Sequence, residues 1–194
     1  MASQLVFASG GPVSSAKEVA AIAKEVRLQI EKSDQFPSER PPTIRWIVKP
    51  TKTSREAAAP TVGIAQIQFK GLTNSYCRLV ASSSKSTTSF ILVPVPEVAN
   101  HDNCKGVRSF HSGDLNGDGA VDYWYVAMVP SNRYLADMGE ALFFLGQPEK
   151  PEAFCYSAAA SRAIDPANTS QAAVTNAIKE ALKRTGRDSL GCDN

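Results

Sequence analysis

The sequence predicts an α+β fold, an antiparallel β-sheet meander flanked by an N-terminal and a C-terminal helix, with an oxygen-rich loop at the tip of one β-hairpin. Three observations predict it. Apolar residues recur at helical spacing near each end of the chain. Through the middle they alternate with polar ones, and one oxygen-rich turn interrupts the strands. The 194 residues suit a single domain over 1–194, with an N-terminal helix at about 15–32, a β-rich core at about 43–157 and a C-terminal helix at about 169–185.

Ser15 and Glu18 have the spacing of a capping box, and Val19, Ile22, Val26 and Ile30 then mark one helical face. Pro37, Pro41 and Pro42 break the chain. From Thr43 the period becomes two, with Ile44, Trp46 and Val48 on one face of a strand. Residues 50–60 read as an exposed loop. Strands are expected at 62–69, 76–81 and 90–95, the last ending beside Pro94 and Pro96 as an edge would. Residues 107–111 and 123–129 are the arms of a hairpin. Residues 141–146 read as a last strand or a buried short segment, and 154–157 as another. The stretch Asn168-Thr169-Ser170-Gln171 offers a second capping box, ahead of a helix with Val174, Ile178 and Leu182 on one side, stopped at Gly186.

Composition is that of an ordinary globular chain, 43% hydrophobic and 21% charged. A formal net charge of +2, with no concentrated basic face, argues against a nucleic-acid partner. No apolar run is long enough for a membrane span. The four cysteines, Cys77, Cys104, Cys155 and Cys192, form no Cys-x-x-Cys pair, so a structural zinc site is not expected. Two disulfides in an oxidising compartment fit an even number of widely spaced cysteines. Of the three pairings, proximity in sequence favours Cys77–Cys104 with Cys155–Cys192; buried free thiols in a cytosolic protein are the alternative. The opening Met1-Ala2-Ser3-Gln4 has no basic n-region and no apolar stretch, so the expected form is a periplasmic or secreted chain whose signal peptide has been removed.

The oxygen-rich turn is Asp114-Leu115-Asn116-Gly117-Asp118-Gly119-Ala120-Val121-Asp122. Asp114, Asn116, Asp118 and Asp122 fall at loop positions 1, 3, 5 and 9, and Ala120 at position 7 can supply its carbonyl. A calcium ion takes roughly six to eight oxygen ligands, drawn in EF-hands from this spacing. Gly119 permits the sharp turn, and Val121 at position 8 is expected to point inward and anchor the loop. Position 12 is Tyr125 where an EF-hand has Glu, and the exit segment reads as a strand. A plain turn is the competing reading, since Asn-Gly and Asp-Gly are strong turn formers. The loop resembles the calcium loops of FG-GAP repeats (the integrin α-chain type) and of dockerins, over about residues 113–125 and in a single copy. Calcium is the cofactor that the resemblance implies.

No catalytic constellation stands out. There is no Gly-x-Ser-x-Gly elbow, no His-Glu-x-x-His and no glycine-rich phosphate cradle. His111 reads as a structural histidine at a strand end, His101-Asp102 as a chance neighbour pair, and Glu140, Glu149 and Glu152 are not selected by any spacing. Whether the chain is an enzyme stays open, leaning towards not. Interfaces favour exposed Tyr, Trp and Arg, which makes Tyr123, Trp124, Tyr125, Arg133 and Tyr134 candidates for partner binding; packing on both faces of a central strand is the alternative for the three consecutive aromatics. A calcium-braced, disulfide-stapled β-rich domain loosely resembles bacterial periplasmic immunity proteins of the lysozyme-inhibitor kind. That resemblance implies a protein partner, a secreted cell-wall hydrolase toxin, and a role as its inhibitor. A secreted hydrolase with an unrecognised site and a carbohydrate or adhesion module are the alternatives.

Overall fold

The computed structural model describes residues 14–37, 40–52, 60–73, 75–82, 90–96, 103–130, 137–185 and 191–192. Helix α1 (Ala16–Glu31) begins at the Ser15/Glu18 capping box: Ser15 Oγ accepts from the Glu18 N–H, and Glu18 accepts from the Ser15 N–H at 2.7 Å. Eight strands follow, β1 (Pro42–Lys52), β2 (Thr61–Phe69), β3 (Ser75–Ser82), β4 (Phe90–Leu92), β5 (Gly106–Gly113), β6 (Asp122–Val129), β7 (Met138–Gln147) and β8 (Lys150–Tyr156), then helices α2 (Ala158–Ala163) and α3 (Gln171–Thr185).

The α+β class, mostly β, is as expected, but the strands form two sheets where one meander was expected. β1-β2-β3-β4 make one antiparallel sheet and β5-β6-β7-β8 the other. The reason lies in the burial of both faces. On β3, Cys77, Leu79 and Ala81 point into a core shared with Tyr123, Tyr125, Ala127, Leu142 and Phe144 of the second sheet. The alternate residues Tyr76 and Val80 pack under Ile22, Val26 and Ile30 of α1. On β6 the alternates Trp124 and Val126 pack under Val174 and Ile178 of α3 and Ala160 of α2. The layers therefore run helix, sheet, sheet, helix, and a central strand has no solvent face to reveal by alternation.

The chain crosses between sheets after β4. The Cys104 N–H donates to the Ser75 carbonyl at 2.8 Å, beside the Cys77–Cys104 disulfide, so a covalent bond and a hydrogen bond pin the crossover to β3. The second bridge is Cys155–Cys192, and both pairings are those favoured by proximity. Cys77 and Cys104 are buried, whereas Cys192 is exposed. Thiol–disulfide exchange needs access to sulfur, so mild reductant is expected to open Cys155–Cys192 first. Alkylation followed by peptide mass mapping checks this; labelling at Cys77 and Cys104 before Cys155 and Cys192 would contradict it.

Three further details depart from the sequence reading. α2 joins the two expected helices; its N-cap Ser157 accepts from the Ala160 N–H, while Ser161 Oγ accepts from the Phe143 N–H on β7. The cap of α3 is Ser170, accepting from the Ala173 N–H, and not Asn168. β1 runs on to Lys52, into the expected loop, through register shifts after Trp46 and Val48. The expected stop at Gly186 lies outside the described residues.

Candidate metal centre

β5 and β6 pair from Gly106↔Met128 to Gly113↔Asp122, and the oxygen-rich turn caps this hairpin. Its backbone reverses at Gly117 (φ 78°) and Gly119 (φ 90°), a region L side chains rarely adopt. Asp114 organises the tip. Its Oδ1 accepts from the N–H groups of Gly117 (2.7 Å) and Asp118 (3.1 Å), and its Oδ2 from Gly119 (3.1 Å). Asp118 Oδ1 accepts from the Ala120 N–H and Oδ2 from Asn116 Nδ2, both at 2.8 Å. Asn116 Oδ1 takes the Asp118 N–H at 3.1 Å.

Asp122 closes the base and is fully buried. Its Oδ2 accepts from Leu115 N–H and its Oδ1 from Gly146 N–H, each at 3.0 Å, tying the loop to β7. Burial pushes its carboxyl up to about 6; those hydrogen bonds pull the other way, and the Asp118 charge adds to the rise. Gly146 is required for this approach, because a Cβ there would stand 2.5 Å from the Val121 carbonyl oxygen. Leu115 anchors the loop, buried beside Trp124 and α3. Val121 does not. It is 44% exposed, the reverse of the expectation from position 8. Side chains alternate as β6 begins, so burying Asp122 turns Val121 outward.

Among the described residues no three His, Cys, Asp or Glu side chains converge as a metal-holding group. The donor set nonetheless suits a hard cation. Each carboxylate offers about four acceptor sites, and the N–H groups named above use at most three on any of them. Asp114, Asn116, Asp118, Asp122 and the Ala120 carbonyl present only oxygen, the donor that calcium prefers.

The partner-binding candidates are placed differently. Tyr123, Trp124 and Tyr125 are all buried, so none is the exposed anchor expected beside the loop. Tyr123 stacks on Phe110, Tyr125 on Phe144 with its hydroxyl donating to the Cys77 carbonyl at 2.9 Å, and Trp124 on His111 at 4.4 Å. That stacking makes His111 a packing residue, and burial lowers its pKa. Arg133 and Tyr134, with His101 and Asp102, lie outside the described residues. Beside the loop, Pro60, Gly119, Val121, Tyr123, Gln147 and Phe154 line a shallow cleft of about 160 Å³.

No protein-family model, curated protein or solved structure matches this chain.

Proposed function

We propose that residues 114–122 form a calcium loop, and that the domain works outside the cytoplasm by binding a protein partner. Within that class we infer an inhibitor or immunity protein directed against a cell-wall hydrolase. The observation that carries the calcium reading is the loop's construction: an all-oxygen donor set on a hairpin whose base, Asp122, is locked to Leu115 and Gly146. Two disulfides support an oxidising compartment. Among the described residues no helix is long and apolar enough to cross a membrane.

In this reading calcium acts indirectly. It holds the tip in one shape, so less ordering entropy is lost on binding. Val121 is the apolar side chain that the tip offers, next to the cleft with Pro60 and Phe154. It replaces the three buried aromatics as the expected contact. The Asp118 side chain is exposed, so its removal spares the core. Asp118→Ala is therefore expected to weaken the partner complex without unfolding the domain, and Val121→Ala to weaken it by about 1 kcal/mol or less, since valine is seldom a dominant anchor. The test is capture from a competitor's secreted proteins, with and without chelator. Recovery of a cell-wall hydrolase that the purified chain inhibits supports the reading. Cleavage of a glycan, peptide or ester by the pure chain, with no protein captured, contradicts it.

A further inference from the structure

The other sheet carries an unpaired charge. Arg78, at the centre of β3, is 1% exposed in a strand otherwise lined by apolar neighbours. Its guanidinium lies 5.5 Å from the ring centre of Phe36 and 5.6 Å from that of Tyr76. Nη1 donates to the Cys77 carbonyl at 3.2 Å. Nε and Nη2 are buried with no hydrogen-bond partner among the described residues. A buried charge without a partner is costly, and burial works against this one, yet arginine keeps its proton under physiological conditions. The rings interact with the cation through their faces and leave its edge unanswered.

That edge has a definite shape. Nε–H and Nη2–H lie side by side as two parallel donors, the fork that matches both oxygens of a carboxylate. Arg78 forms part of the wall of a cleft of about 220 Å³, shared with Gln29, Ser33, Asp34, Gln35 and Leu92. Two amides span it. Gln29 Oε1 accepts from the Leu92 N–H at 2.9 Å, and Gln35 Nε2 donates to the Val95 carbonyl at 3.3 Å. Nε and Nη2 are themselves buried, so a ligand oxygen reaches them only when lining side chains move. Charge argues for a weakly charged ligand: Arg78 supplies one positive charge and Asp34 one negative in the lining, so a monoanion held on Arg78 meets the smaller repulsion. A phosphate dianion would set a second negative charge against Asp34.

We propose that this cleft is a carboxylate-binding site in which Arg78 Nε and Nη2 hold the two oxygens of the ligand. The site lies on the first sheet and is independent of the calcium reading. The carboxylate comes either from a small free acid or from the C-terminus of a polypeptide.

The test uses the full chain with ¹⁵N-labelled arginine. The Arg78 Nε–H resonance is identified by its through-space contacts to the Phe36 and Tyr76 rings, which requires no variant. The protein is titrated with sodium acetate, and with sodium chloride and sodium phosphate at matched ionic strength. A saturable shift with acetate, absent with chloride and phosphate, is the expected result. It should be accompanied by a melting temperature higher in acetate than in chloride, a difference lost in Arg78→Met. Acetyl-diglycine and its amide separate the sources: binding of the acid at least about ten-fold tighter than acetate, with none by the amide, assigns a chain terminus. Equal affinity for acetate and acetyl-diglycine assigns a small free acid. Absence of a saturable shift with either acid, or an equal shift with phosphate, overturns the proposal and leaves Arg78 as a structural cation.

Discussion

Trp124→Ala is expected to destabilise the domain by about 3–5 kcal/mol, the range for emptying a large aromatic from a core. Trp124 has no exposed surface and packs among Leu115, Val126, Phe143, Ala160, Val174 and Ile178, with His111 stacked on its ring. Its Nε1–H has no hydrogen-bond partner among the described residues, so truncation orphans no acceptor there, and the whole cost is lost packing and cavity. For a chain of this length that loss lowers Tm by roughly 6–20 °C. Because Leu115 shares the cluster, the effect should reach the loop at residues 114–122. Urea unfolding of wild type and variant measures it. A change under about 1 kcal/mol would mean that α2 and α3 do not close over β6 as described.

Replacing Cys77 and Cys104 together by alanine is expected to cost about 3–4 kcal/mol. The bridge closes a segment with a sequence separation of 27, and the entropy that such a closure removes from the unfolded chain has that magnitude. The two sulfurs sit in the core between the sheets, and the bridge pins the end of the crossover just before β5. The neighbouring Tyr125 hydroxyl bonds to the Cys77 carbonyl and survives the replacement, so the loss should be that of the covalent link and the buried sulfur. Denaturant midpoints of the double variant and wild type test this. Equal midpoints would show that the crossover is held by its hydrogen bonds alone.

The parts of this architecture legible in the sequence are those whose pattern is set by one buried face. Helix α1 shows its stripe of Ile22, Val26 and Ile30 against solvated lysines and glutamates, and α3 does the same with Val174 and Ile178. The hairpin was legible from its turn chemistry, and the cysteine pairing from proximity. Division into two sheets was not legible, because β2, β3 and β6 are covered on both faces and their residues do not sort by alternation. The same covering hides three consecutive aromatics that read equally well as surface anchors. Helix α2 escaped because Ala158–Ala163 is short and carries no apolar stripe. Val121 departs from the expectation because burial of Asp122 at the start of β6 turns its neighbour outward. Arg78 was overlooked, although a lone arginine inside Tyr76-Cys77-Arg78-Leu79-Val80-Ala81 is itself a signal: a strand so apolar buries whatever it contains.

Calcium binding at residues 114–122 is the claim on which the proposed function turns, and calorimetric titration of metal-stripped protein tests it most directly. The expected result is one site with a dissociation constant at or tighter than roughly 10⁻⁴–10⁻³ M, the range of extracellular modules. Its heat should vanish in Asp118→Ala. In the same samples, calcium at about 100 times the dissociation constant should raise stability by about 2.7 kcal/mol, and chelator should remove the gain. No heat at millimolar calcium, together with a melting curve that chelator leaves unchanged, would contradict the account and reduce the loop to a hairpin turn held by its own aspartates.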